Sequence, residues 1–222
     1  NYWIAIFSVV FFASLKSNVN VLGPWFFDAL TLNVPVVLLF FYSNQRAYED
    51  SLKQGAIITA VKKLRPSKCS LRGVDLSSVN LSQVRFRKVD LRGANLGRAN
   101  LEGCSFFRCD LRGANFREAQ CRRINFSLCD IAQADFTGAD LGGLIVYRTR
   151  MKRVILDDAL LENTNLSQLD LAESRAHRGN FKGALLDSAR LARGNFRTAH
   201  FEQARGLELK AGQADFSGAH FL

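Results

Sequence analysis

From Lys68 to the end of the chain, two of every five positions never carry a charge. Other features are missing as well. There is no Gly-rich phosphate loop, nucleophile elbow, HExxH or paired-acid motif, and no two cysteines have C-x-x-C spacing. Histidine is scarce: His177, His200 and His220 are the whole supply. His200 and His220 could stack on one face, but two imidazoles without a third ligand make no metal site. These absences exclude the common catalytic chemistries and predict a non-enzyme that needs no cofactor and no metal. A further shortage lies at the front, where residues 1–42 contain only Lys16 and Asp28 as charges.

What is present is a beat of five. A hydrophobic centre recurs at every fifth position from Leu71 through Leu76, Leu81, Phe86 and Leu91 to Phe216 and Phe221, without an insertion. Of 31 such centres, 14 are Leu and 10 are Phe. Two residues before each centre stands a small or apolar residue, such as Val74, Ala94, Cys104 or Ala134. All 41 charges between Lys68 and Leu222 fall on the other three positions. A period of five fits neither a helix nor a flat strand, so the chain must coil, with two residues in five pointing inward. Each turn then buries the apolar edge of its neighbour.

The units Ala94-Asn95-Leu96, Ala99-Asn100-Leu101, Ala114-Asn115-Phe116, Ala134-Asp135-Phe136 and Ala139-Asp140-Leu141 resemble the A(D/N)LXX signature of pentapeptide repeat proteins. The resemblance covers roughly two thirds of the chain, residues 68–222. It implies an all-β solenoid, a right-handed quadrilateral β-helix with four repeats in each coil. On that geometry one inner column holds Phe86, Phe106, Phe126, Val146, Leu166 and Leu186, and stacked rings suit such a core. Ala176, Gly206 and Ala211 fill less space, which predicts looser packing toward the C-terminal coils. The family includes acidic rods that mimic duplex DNA and occupy topoisomerases; here the net charge is +10, which sets that role aside.

The front of the chain is a different material. Tyr2 to Leu15 and Trp25 to Tyr42 are apolar segments, the second close to the roughly 20 residues that span a bilayer. Residues 1–43 are therefore expected to form a transmembrane helical hairpin that turns within Lys16 to Pro24. Arg46, Lys53, Lys62, Lys63, Arg65 and Lys68 follow it, which favours a cytoplasmic side for what comes next. Residues 44–67 read as a basic linker or capping helix, covering the first coil or lying on anionic lipid.

The five cysteines fit the beat rather than a ligand set. Cys69, Cys104, Cys109 and Cys129 take the small inward position and Cys121 a centre, so they read as buried small hydrophobes. Asp75, Asp90, Asp110, Asp130 and Asp170 occupy the repeat's own polar position, where a carboxylate can bond the backbone of the corner.

Binding is sought in the lapses of the beat and in the charge. Arg72, Arg92, Arg112 and Lys152 follow centres of one column, and Arg87, Lys88, Arg108 and Arg148 those of the adjoining column. Together they predict a basic strip along the rod, its repulsion offset by Asp side chains or by an acidic partner. Ile145, Ile155 and Leu160 stand where Asp or Asn is usual, and Phe107 and Tyr147 follow their centres, with Leu128 nearby. Such outward apolar residues mark a contact surface, local strain or a bend in the rod being the alternative. The sequence thus points to a membrane-anchored scaffold or accessory subunit of a membrane complex. Its expected partners are membrane lipid through residues 2–42, other subunits and anionic lipid headgroups, with no specific nucleic acid. A peripheral regulator that uses the basic strip is the second reading, and an enzyme would need chemistry at the His177, His200 and His220 end.

Overall fold

Most five-residue units close on a hydrogen-bonded turn. The carbonyl of a centre accepts the N–H three residues on, as Leu71 does from Val74 at 3.2 Å and Leu91 from Ala94 at 3.0 Å. The residue two after each centre takes positive φ, the mark of a type II turn. Twenty-three non-glycine residues and eight glycines hold this conformation, one in every unit from Lys68 to Gly218. An L-residue there costs about 1–2 kcal/mol, so the turns persist only because the surrounding structure determines them.

The determining structure is a ladder between coils. In a computed structural model that describes residues 68–221, nearly every residue before a centre bridges its equivalent 20 residues on, always in parallel. Four units therefore make one coil. Three short strands, β1 (Arg85–Arg87), β2 (Ser105–Phe107) and β3 (Asn125–Ser127), form a parallel sheet in register, with Phe86 opposite Phe106 and Phe106 opposite Phe126. Elsewhere the ladder runs as single bridges at the same spacing. The β-helix expected from the repeat is thus the observed architecture. The hairpin expected over 1–43 and the linker over 44–67 lie outside the described residues. Among the described residues, no helix is long and apolar enough to cross a membrane.

The interior is built by columns. Phe86, Phe106 and Phe126 stack with centroids 4.7 and 5.4 Å apart, and Phe116 stacks on Phe136 at 4.6 Å. The small inward position has its own rule. Cys104 Sγ lies 2.9 Å from the Leu81 carbonyl and Cys129 Sγ 3.3 Å from that of Phe106; the hydroxyls of Thr149 and Ser174 approach Phe126 and Met151 in the same way. All five cysteines are free, and burial pushes the Cys104 thiol up to about 12. Cys104, Cys109, Cys121 and Cys129 are buried, whereas Cys69, in the first described coil, is exposed. Toward the C-terminus the packing differs from the expectation. Ala176 is fully buried, because the rings of Phe181 and Phe196 lie where a Cβ on Gly179 and Gly194 would go. Gly206 is exposed, as its lack of a side chain suggested.

The ladder has one opening among the described residues. The bonds that the register requires between Gly143–Met151 and Glu162–Asp170 are absent, although the rungs on either side hold, Ile131 to Arg150 at 2.9 Å and Leu166 to Leu185 at 2.8 Å. Val146 sits in this opening. It is half-buried, while every other centre from Leu76 to Phe201 is buried. In most units an Asp or Asn before the centre accepts the N–H just after it, as Asn125 does from Ser127 at 2.9 Å. Ile145 and Arg150 cannot. Ile155 and Leu160 cannot either, yet Leu156 and Leu161 keep their ladder bonds at 2.6 and 2.8 Å, so this loss is insufficient alone. The gap appears where it coincides with a Val centre below the larger Phe126.

Two substitutions test this balance in thermal unfolding. Phe106→Ala, which removes a ring stacked on both sides, is expected to cost about 3–5 kcal/mol. Gln133→Gly, at an exposed turn residue with φ 62°, should raise stability by about 0.5–1 kcal/mol, since glycine carries no steric penalty there.

Candidate functional site

The register separates the two rows of basic residues onto consecutive corners of the coil. The corner after the Phe86 column carries Arg87, Lys88, Phe107, Arg108, Ser127, Leu128, Tyr147 and Arg148. The next carries Arg72, Arg92, Arg112 and Lys152, with Asp90, Asp110 and Asp130 on the side between. The two corners differ electrostatically.

On the second corner Arg92, Arg112 and Lys152 are paired, while Arg72 makes no ion pair among the described residues. Arg92 forks onto Asp90 with Nε–Oδ1 2.9 Å and Nη2–Oδ2 2.6 Å, and Arg112 repeats this on Asp110 at 2.8 and 2.6 Å. The same aspartates accept the Arg92 and Arg112 backbone N–H, so one carboxylate caps the turn and holds the guanidinium. Lys152 reaches Glu173 at 2.9 Å, and Arg153 lies 2.7 Å from the same carboxylate. The Arg92 side chain holds Asp90 down at about 2, and Lys152 with Arg153 holds Glu173 at about 2. Of the two offsets expected for the strip, Asp side chains serve here.

On the first corner, among the described residues, no carboxylate approaches within salt-bridge distance of Arg87, Lys88, Arg108 or Arg148. Aromatic rings take that place. Arg87 and Arg108 lie over Phe107 at 5.7 and 5.3 Å, and Arg148 over Tyr147 at 5.4 Å. Each such contact is worth about 0.5–1 kcal/mol at an exposed site and leaves the edge N–H donors free. Leu128 is the one large apolar side chain at the positive-φ turn position, at φ 58°. Tyr147 is 56% exposed and Ile145, on the side leading into this corner, 49%. Phe107, Leu128, Ile145 and Tyr147 therefore come together beside Arg87, Arg108 and Arg148. Ile155 and Leu160 belong to the second and third sides on from that of Ile145 round the coil; Ile155 is half-buried and Leu160 is 46% exposed.

Two residues of this surface escaped the sequence reading. Arg85 stands before Phe86 in the column of Ile145, exposed and, among the described residues, without a carboxylate; its place in the usual Asp/Asn position was the available signal. Val146 was visible only as a smaller side chain between Phe126 and Leu166.

Other clusters hold less. His200 and His220 stack at 4.9 Å, with His200 Nδ1 3.1 Å from Glu202. Among the described residues, no group of three or more His, Cys, Asp or Glu is placed to hold a metal ion. A shallow groove near His177 and Asn195 includes Arg175 and Arg197, which lie 2.6 Å from Asp157 and 3.7 Å from Asp215.

The family model described as pentapeptide repeat region matches residues 79–159, and that described as pentapeptide repeats matches 155–191 and 164–203. The chain belongs to the pentapeptide repeat family. Among solved structures, it is similar to a pentapeptide repeat protein from the thylakoid lumen of Arabidopsis thaliana, at 35% identity over 42% of this chain and 66% of that one, with a TM-score of 0.41. It is also similar to trypsin-treated QnrB1, a plasmid-mediated fluoroquinolone resistance protein, at 21% identity over 71% and 89%, TM-score 0.36. HetL, involved in heterocyst differentiation regulation in the cyanobacterium Nostoc sp. strain PCC 7120, matches at 23% identity over 69% and 83%, TM-score 0.29. No curated protein sequence matches the chain.

In this pentapeptide repeat chain the paired corner gives an acid signature. Asp90 ordinarily titrates near 3.8 and is lowered to about 2 on folding. A lowered carboxylate contributes stability that is complete above the unfolded value and is lost as pH falls through the folded one. Unfolding midpoints should therefore drop between about pH 4 and pH 2. Arg92→Gln should flatten that drop, whereas Arg87→Gln should leave it unchanged, as read from denaturant titrations at each pH.

Proposed function

We propose that this chain is a non-catalytic, membrane-anchored scaffold or accessory subunit of a larger membrane protein complex, presenting its β-helix to partners on the cytoplasmic side. The observation that carries the reading is the corner of Phe107, Leu128 and Tyr147. Tyr147 is exposed there and Phe107 and Leu128 half-exposed, beside arginines that lack carboxylates among the described residues, whereas many of the coil's other basic side chains pair with an acid. A surface left apolar and unneutralised is suited to being covered. The apolar segments of residues 2–42, with the basic residues after them, support the anchor and its orientation.

A second reading, a peripheral regulator that binds anionic lipid headgroups or acidic partners, draws on the same unpaired arginines. The paired corner adds little to it, because Asp90, Asp110 and Glu173 already neutralise Arg92, Arg112 and Lys152.

Mild detergent extraction followed by size analysis is expected to show the chain migrating with other subunits; a clean monomer contradicts the subunit reading. Ile145→Asp with Tyr147→Asp should release those subunits while the chain stays folded. Protease accessibility from the cytoplasmic side should reach the β-helix in intact membranes, and protection there contradicts the orientation.

A further inference from the structure

The opening in the ladder and the unneutralised corner are one place. Ile145 leads into the gap, Val146 floors it, and Tyr147 and Arg148 form its outer edge. The backbone N–H groups of Val146 and Arg148 and the carbonyls of Leu144 and Thr149 have no ladder partner across it, though their equivalents in the other coils do. Unpaired backbone groups of both polarities are costly unless something satisfies them. A lipid phosphate offers only acceptors. An extended peptide offers donors and acceptors together.

We propose that this opened corner is the docking site for an extended acidic segment of a partner protein. An apolar side chain of the segment seats over Val146 between Ile145 and Tyr147, and its carboxylates reach Arg108 and Arg148. Three observations carry the assignment. The arginines are held in place by rings rather than by carboxylates, so their forks are free for an incoming acid. Val146 is the one centre between Leu76 and Phe201 that is not buried. Leu128, in the coil above, keeps a branched apolar side chain at φ 58° and half-exposed, a choice that turn chemistry disfavours.

The inference rests on the scaffold reading and names the class of partner for its surface. The full chain in detergent would be titrated, by fluorescence anisotropy, into a labelled synthetic peptide of alternating glutamate and phenylalanine, into the same peptide with lysine for glutamate, and against phosphatidylcholine vesicles with and without phosphatidylserine. The acidic peptide should bind and the lysine peptide should not. Arg108→Glu with Arg148→Glu should weaken binding by about tenfold or more, and Tyr147→Ala should weaken it without changing the charge. The charge-matched control, Arg123→Glu with Arg193→Glu, should leave it within about twofold. Failure of the acidic peptide to bind, equal weakening by the control, or binding only to phosphatidylserine vesicles would overturn the assignment. A complex that co-purifies intact with the Tyr147 and Arg148 variants would sink this site and leave the scaffold reading standing. Absence of any complex would sink the scaffold reading itself.

Discussion

The coil-to-coil hydrogen-bond ladder is the constraint on which the rest of the molecule depends. A turn every five residues places one residue of each unit at positive φ, and most of those residues are not glycine. No isolated segment would hold that conformation repeatedly, since each instance is unfavourable by about 1–2 kcal/mol. Stacking supplies the compensation. Each coil offers backbone donors and acceptors at fixed height, and the next coil satisfies them with the register locked at 20 residues. The inner columns of Phe and Leu then pack as a consequence of the same register.

That constraint sorts side chains by position rather than by chemistry. Besides alanine, a cysteine, a threonine and a serine serve at the small inward position, because it wants a compact side chain, and Cys104, Thr149 and Ser174 also turn a donor to a carbonyl in the coil before. An aspartate before a centre caps its own turn and can still hold an arginine. Much of the chain's charge is absorbed in this way, so its positive balance is a poor guide to binding. Arg72, Arg123, Arg190 and Arg193 form no ion pair among the described residues either, so the informative charge is the unmatched part that stands against aromatic rings, at Arg87, Arg108 and Arg148.

Most of the architecture was legible in the sequence because the beat is strict: the centres, the small inward residues, the role of the aspartates and the Phe stack from Phe86 to Phe126 follow from position alone. The site was legible in part. Phe107, Leu128, Ile145 and Tyr147 could be assigned to one neighbourhood by counting residues. The pairing of Arg92 with Asp90 but not of Arg87 with any acid could not, since it depends on which way each side chain leaves its corner. Ile155 and Leu160 looked equivalent to Ile145 in the linear pattern, yet a coil of four sides sends them elsewhere. The ladder opening was the least legible feature. Ile145, Ile155 and Leu160 all lack the capping acceptor, and the ladder breaks only beside Ile145, where a Val centre lies below Phe126.

The central claim is that one ladder orders the described residues and is interrupted among them at a single, functionally meaningful place. Residue-resolved amide hydrogen exchange on the full chain tests it most directly. The account predicts fast exchange at Val146, Arg148, Met151, Asn165 and Asp170, against strong protection at Leu128, Ile131, Leu166 and Leu171 on the same two sides. Protection at Val146 and Arg148 equal to that at Leu128 and Ile131 would contradict it.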